Sequence, residues 1–92
     1  MNQYEIFRKS FPEIDVSERI FYELVNVNNI HSIEYKESGR LVAYAFIEKN
    51  ALRLLCVLPE YQKKGIGTML LKQSEEYIKE QGYEEILTGV AS

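Results

Sequence analysis

Residues 57–71 hold the side chains and glycines whose spacing could bind a charged ligand. Gly65 and Gly67 stand at the start of a run with helical periodicity, and Lys63 and Lys64 directly precede them. The first turn of a helix carries backbone N–H groups without intrahelical partners, and the aligned peptide dipoles place partial positive charge there. Glycine lets the backbone approach a ligand closely and adopt positive φ. The segment therefore predicts a site for a phosphate or pyrophosphate group.

A Gly-x-Gly pair alone is a weak signal, because glycines that only satisfy turn geometry give the same pattern. A Walker loop requires Gly-x-x-x-x-Gly-Lys-Ser/Thr, whereas Thr68 directly follows Gly67. A dinucleotide fingerprint requires a third glycine where Leu70 stands, and its first glycine directly follows a strand, whereas residues 59–64 intervene here. Turn geometry and a phosphate site of another class remain the two interpretations.

Cys56 and His31 are the only cysteine and the only histidine of the chain. Cys56 has no histidine in a plausible dyad pattern, and a lone cysteine is commonly a small buried side chain. A single cysteine excludes an internal disulfide framework and a cysteine-based zinc cluster, and a single histidine excludes a multi-histidine metal site. We therefore expect no metal cofactor.

Length and composition indicate one small globular domain over residues 1–92, with 46% hydrophobic residues and a formal net charge of -3. The acidic balance argues against a nucleic-acid partner. No apolar run approaches the roughly 18–20 residues of a membrane span, and the N-terminus shows no secretory signal. We therefore expect a cytoplasmic protein that binds neither nucleic acid nor a membrane.

Two helices are predicted before the first strand. Aromatic residues at spacings of three and four predict a first helix that Pro12 ends. Asp15 and Glu18 resemble a capping box at the start of a second helix, with Ile20, Phe21 and Leu24 on its apolar face.

Strands are predicted at 31–36, 41–48 and 51–58, joined by short turns into an antiparallel meander. A helix beginning near residues 64–67 and ending near Gln81 connects the third strand to a last strand at 84–90. A parallel crossover is expected for that connection. The order is ααβββαβ, a mixed α/β fold.

The pattern Val57-x-Pro59-x-Tyr61-Gln62-x-x-Gly65-Ile66-Gly67-x-x-Leu70-Leu71 resembles the acyl-CoA-binding signature of the GCN5-related N-acetyltransferases (GNAT). That signature is Arg/Gln-x-x-Gly-x-Gly/Ala between a strand ended by proline and an apolar helix. The element order also matches that of the family after its first strand. The resemblance implies a GNAT-type fold that is incomplete at the C-terminus, without the last helix and strands.

The resemblance further implies direct transfer of an acetyl group from acetyl-CoA to a primary amine, without a covalent enzyme intermediate. Cys56 and Val57 would pair their backbone with the pantetheine arm, and the Val57 N–H would donate to the thioester oxygen as it becomes an oxyanion. The pyrophosphate would lie on the backbone of Gln62, Lys63, Lys64, Gly65, Ile66, Gly67 and Thr68.

The sequence departs from the family at the acid and base positions. Ala51 stands where one branch carries a glutamate base, so Glu48 is the candidate base, with a solvated turn residue as the alternative and Glu34 as a weaker candidate. The tyrosine acid of many members would lie beyond Ser92. A non-catalytic acyl-CoA-binding module and an inactive truncated domain therefore remain alternatives.

The partners expected from the sequence are an amine acceptor and a second copy of the chain. The acceptor is a small molecule or a peptide, which the sequence does not identify. An unpaired sheet edge at residues 84–90 would be a template for pairing with another chain, which predicts a homodimer.

Overall fold

The computed structural model describes residues 2–86. It contains three α-helices and three β-strands in the order ααβββα, which confirms the mixed α/β prediction. The elements are α1 (Gln3–Ser10), α2 (Glu18–Val27), β1 (His31–Glu37), β2 (Arg40–Glu48), β3 (Ala51–Val57) and α3 (Ile66–Glu80), with a short 3-10 turn (Pro59–Tyr61) before α3.

The predicted last strand at 84–90 lies largely outside the described residues. Its first three positions, 84–86, are described and form no strand. The sheet edge from which a homodimer was predicted lies in the same segment.

Side-chain caps begin the first two helices. Asn2 caps α1 through its side chain, which accepts from the Glu5 N–H at 2.8 Å, while the Glu5 carboxylate accepts from the Asn2 N–H at 3.0 Å. The N-cap of α2 is Ser17, whose hydroxyl accepts from the Ile20 N–H at 3.3 Å. The predicted start at Asp15 was therefore wrong by two residues, because Ser17 is the residue that precedes the first helical position.

The three strands form an antiparallel meander in the order β1-β2-β3. The β1–β2 turn places both Ser38 and Gly39 at positive φ, as a two-residue hairpin of type I′ requires. In the β2–β3 ladder the register shifts after the Phe46–Leu54 pair, so Arg53 is the extra residue of a bulge in β3.

Helices cover both faces of the sheet. On one face an aromatic cluster joins α1 and α2 to β2, with ring centroids 5.2 Å apart for Phe7 and Phe21 and 5.8 Å apart for Phe21 and Phe46. On the other face α3 buries one residue in every four, namely Ile66, Leu70, Ser74 and Ile78. The buried Ser74 hydroxyl donates to the Leu70 carbonyl oxygen at 2.7 Å.

The apolar face predicted for α2 is only partly buried. Phe21 lies in the core, whereas Ile20 is 49% exposed and Leu24 is 55% exposed. The apolar residues at these two positions therefore add little to the core, and Phe21 carries the packing of α2 on the sheet. Among the described helices, none combines the length and apolar character needed to cross a membrane.

Candidate functional site

The outer edge of β3 presents backbone groups of Val57 to the surroundings. An antiparallel ladder alternates between residue pairs that exchange both hydrogen bonds and pairs that exchange none. Ala43 and Val57 are register partners, and the next pair outward is hydrogen-bonded, with the Leu58 N–H donating to the Val42 carbonyl at 2.9 Å. The N–H and C=O of Val57 therefore point away from β2.

A cavity of about 290 Å³ lies along this edge of β3, between the end of α1 and the start of α3. We call it the edge groove. Its lining residues come from three elements and are Ser10, Phe11, Leu55, Val57, Gln62, Lys63 and Gly67. The fold thus brings the end of α1, which is distant in the sequence, to the same groove as Val57 and the predicted phosphate-binding loop.

The loop before α3 has the conformation of an anion site. Lys63 and Gly65 both adopt positive φ, at 66° and 80°, and Gly65 is the N-cap of α3 without a side-chain cap. Met69 is the first residue of the helix whose N–H finds a helical acceptor, the Gly65 carbonyl at 3.0 Å. Within residues 2–86 the N–H groups of the three residues before Met69 donate to no acceptor, and these residues are Ile66, Gly67 and Thr68. An anion at the helix start would satisfy them.

Gly67 sets how closely a ligand can approach this helix start. A Cβ built at Gly67 would lie 3.9 Å from the side chains of both Leu55 and Val57, which is ordinary contact. Position 67 therefore has room for a Cβ, and a side chain there would occupy space between residues that line the edge groove.

Positive charge at the groove comes from two exposed lysines, Lys63 and Lys64. The Lys64 ammonium lies 5.2 Å from the centroid of the Tyr61 ring, within the range of a cation–π contact. That contact holds the charge beside the loop.

The Val57 carbonyl accepts hydrogen bonds from two side chains of the groove. The Gln62 amide donates to it at 3.2 Å, and the Ser10 hydroxyl at 3.3 Å. Sequence reasoning missed Ser10, because no local pattern marks a residue that lies 47 positions away along the chain.

Cys56 faces the opposite way from Val57. It is 1% exposed, and its register partner is Tyr44, so its backbone belongs to a pair that bonds to β2. The pKa of the Cys56 thiol is raised to about 11, because the effect of burial outweighs the opposite effect of the hydrogen bonds with the Tyr44 and Ser10 side chains. Its backbone is thus turned away from the edge groove, whereas the backbone of Val57, for which the same coenzyme contact is predicted, faces it.

Glu48 lies far from the edge groove. Its carboxylate accepts from Arg53 Nε at 2.9 Å, and its register partner is Ala51, at the opposite end of β3 from Val57. A strand of seven residues spans about 20 Å. A carboxylate at that distance cannot take a proton directly from an amine held beside Val57.

The buried position of Ala51, 8% exposed, offers no acid–base group. Of the predicted coenzyme contacts, Ile66 is 8% exposed and can contribute only its backbone. The residues from Gln62 to Gly65 and Thr68 are exposed, so their backbone is open to a ligand.

Comparison with solved structures places this fold among acetyltransferases. An aminoglycoside acetyltransferase from an uncultured soil metagenomic sample superposes with a TM-score of 0.71 at 19% identity, over 92% of this chain and 64% of that one. The ribosomal-protein-S18-alanine N-acetyltransferase of Escherichia coli gives 0.71 at 20% identity, over 86% and 52%. A GNAT family acetyltransferase from Brucella melitensis, solved with acetyl-CoA, gives 0.71 at 16% identity, over 91% and 64%.

The chain thus spans between 52% and 64% of the length of these three proteins. No curated protein sequence matches it at a significant level. The sequence profile described as "Acetyltransferase (GNAT) family" matches residues 2–92, which confirms the resemblance found in the sequence. The chain therefore belongs to the GNAT acetyltransferase family.

Proposed function

We propose that this chain binds acetyl-CoA in the edge groove and transfers the acetyl group to a primary amine. The observation that carries the proposal is that the outward Val57 backbone and the unsatisfied start of α3 face the same groove. One end of the groove suits the pyrophosphate, and the other suits the amide and thioester groups of the pantetheine arm. The Brucella melitensis neighbour, solved with acetyl-CoA, supports this choice of coenzyme.

The pyrophosphate lies at the start of α3 in this proposal. The N–H groups of Ile66, Gly67 and Thr68 donate to its oxygens, and Lys63 and Lys64 add positive charge. Such backbone donors require no side-chain rearrangement, because the helix and the positive φ of Gly65 already orient them.

The thioester lies beside Val57. The amine nitrogen attacks the thioester carbon, the carbonyl oxygen gains negative charge, and the Val57 N–H donates to that oxygen. The C–S bond then breaks, coenzyme A leaves as the thiolate, and the proton released by the attacking nitrogen passes to that thiolate or to water. Glu48 has no part in this step, since it lies at the far end of β3.

Coenzyme binding without acetyl transfer is the second candidate function. Ala51 favours it, because this buried residue stands where one branch of the family carries its glutamate base. A homodimer and a cytoplasmic location remain proposals from the sequence.

Calorimetric titration with acetyl-CoA and with desulfo-CoA tests the site. The informative variant is Gly67→Glu, because position 67 has room for a Cβ, whereas positive φ at Gly65 would strain any replacement there. Like charges about 4 Å apart repel by about 1–4 kcal/mol. We therefore expect Gly67→Glu to weaken coenzyme binding by at least about fivefold, which corresponds to the lower end of that range.

Gln73→Glu is the matched control, because Gln73 is exposed on the same helix, six residues after Gly67, and undergoes the same charge change. Coenzyme binding by the parent and the control, but not by Gly67→Glu, supports the proposal. Absence of binding by the folded parent chain overturns it. An assay of acetylated amines then separates the two candidate functions.

A further inference from the structure

The outer edge of β1 is open in the described part of the sheet. The strand order β1-β2-β3 places β1 at the edge opposite the edge groove, and β1 pairs with β2 alone. Its seven residues exceed the roughly five or six of an average strand, and none is a proline. Such an edge presents a row of backbone donors and acceptors with which another strand can pair.

The register shows which backbone groups of β1 face outward. Residues of an antiparallel strand direct their N–H and C=O alternately to its two sides. Val42 accepts from β3's continuation, so the next residue, Ala43, bonds toward β1, where its register partner is Tyr35. The ladder skips Val42, which belongs to β2, so β1 itself keeps its alternation on both sides of Tyr35. The outward-facing residues of β1 are Ser32, Glu34 and Lys36.

Two of these outward residues carry opposite charges. Glu34 and Lys36 are both exposed and line the same polar cavity, of about 450 Å³, beside the start of α1. Gln3 of α1 holds the Glu34 carboxylate by donating its amide N–H at 3.1 Å. Lys36 forms no ion pair within residues 2–86. The edge therefore offers an anchored carboxylate and an available ammonium group, two residues apart.

We infer that β1 pairs antiparallel with β1 of a second copy of the chain, about a two-fold axis at Tyr35. Glu34 then lies opposite the partner's Lys36, and Lys36 lies opposite the partner's Glu34. These two pairs exchange backbone hydrogen bonds and form cross-strand ion pairs. The two Tyr35 residues meet at the axis in a non-hydrogen-bonded pair, where cross-strand side chains are closest. Two three-stranded sheets thus become one sheet of six strands.

Charge selects this axis over its neighbours. An axis at Glu34 would set two carboxylates directly opposite each other, and an axis at Lys36 would do the same with two ammonium groups. Both arrangements destabilise a strand pair. An axis at Ile33 would pair neither charge with the other. The same side chains that permit one register therefore oppose the adjacent ones, which limits indiscriminate pairing at the edge.

The inference is independent of the proposed function, because the edge groove lies along the outer edge of β3 and stays open in this dimer. It also differs from the homodimer predicted at residues 84–90, since it uses the other edge of the sheet. We expect a weak dimer, because two paired edges of this length bury less area than a standard interface of about 1,600 Å².

Sedimentation equilibrium of the 92-residue chain tests the inference. Lys36→Glu sets like charges opposite each other in both pairs, so we expect the dissociation constant of the dimer to rise at least about tenfold. Lys72→Glu is the matched control, because Lys72 is exposed on α3 and undergoes the same charge change. The double variant Glu34→Lys with Lys36→Glu restores opposite charges and should restore the dimer.

A cross-link provides a second test that does not depend on the charge variants. The Cα atoms of a non-hydrogen-bonded pair lie about 4.5 Å apart, within the range of a disulfide. Mild oxidation of Tyr35→Cys should therefore yield a covalent dimer, whereas Cys56 is buried in the parent chain and should yield none.

Three results would overturn the inference. The first is a parent chain that stays monomeric at about 1 mM, a concentration that detects even a weak dimer. The second is a dimer that Lys36→Glu weakens no more than Lys72→Glu does, since the interface would then lie elsewhere. The third is a folded Tyr35→Cys variant that forms no covalent dimer on oxidation.

Discussion

The hydroxyl of Ser10, in the last turn of α1, donates to the backbone carbonyl of Val57 at the end of β3, across 3.3 Å. This contact ties the N-terminal helix to the strand end on which the coenzyme proposal rests. The same carbonyl also accepts from the Gln62 side chain at 3.2 Å. The end of α1 and the loop after β3, which lie on either side of the edge groove, therefore both bond to the carbonyl of Val57.

Ser10→Ala is expected to lower the free energy of unfolding by about 1 kcal/mol, the usual net value of one intramolecular hydrogen bond. Alanine favours a helix more than serine does, so lost helix propensity cannot explain a decrease. Urea denaturation monitored by circular dichroism measures it. Lys9→Ala is the control, because Lys9 is an exposed neighbour on α1. Equal stability of the two variants would show that the Ser10 contact contributes nothing.

The strand–loop–helix corner could be predicted from the sequence because its signals are local. Two glycines, a proline and a helical period within 15 positions define the segment from Val57 to Leu71. The alternating polar and apolar residues of β1 and the continuous apolar run of β2 likewise predicted the sheet. A strand buried on one face alternates in this way, whereas a strand buried on both faces is apolar throughout.

Features that depend on distant contacts could not be predicted in this way. Ser10 joins the groove only because α1 packs beside β3. The bulge at Arg53 changes which residues face outward, and no residue type in the strand signals it. The exposure of Ile20 and Leu24 depends on what covers α2, which periodicity alone does not reveal.

Glu48→Gln is expected to leave the pH profile of amine acetylation unchanged, because about 20 Å of strand separates Glu48 from the Val57 end of β3. Its stability cost should stay below about 1 kcal/mol, since the Arg53 partner is 60% exposed and such pairs contribute little. Initial rates between pH 6 and 9, a range of about three units around ordinary assay conditions, provide the comparison. Arg53→Gln is the control, as it breaks the same ion pair from the other side. Loss of the acidic limb, over which the rate rises with pH, in the Glu48→Gln profile alone would restore Glu48 as the base.

Cys56 is expected to make the free energy of unfolding fall as the pH rises through the alkaline range. Burial raises the pKa of its thiol to about 11, from an ordinary 9.0. Below pH 9 the thiol is protonated in both states and contributes no pH dependence. Above pH 9 the unfolded chain releases the proton while the folded chain keeps it, so stability falls as the pH rises toward 11. By pH 10.5 the loss from this group should reach about 2 kcal/mol.

The measurement is the difference between the parent and Cys56→Ala in urea denaturation at pH 8.0 and pH 10.5, because the titratable groups that do not contact Cys56 cancel in this difference, and burial keeps the pKa of its neighbour Tyr44 raised in both proteins. We expect the parent to lose more stability than the variant over this interval. Because Cys56 is 1% exposed, its thiol should also react with Ellman's reagent only after unfolding. Rapid labelling of the native protein at pH 8, or identical pH dependence of the two proteins, would contradict the burial of Cys56 and with it the register that turns Val57 toward the edge groove.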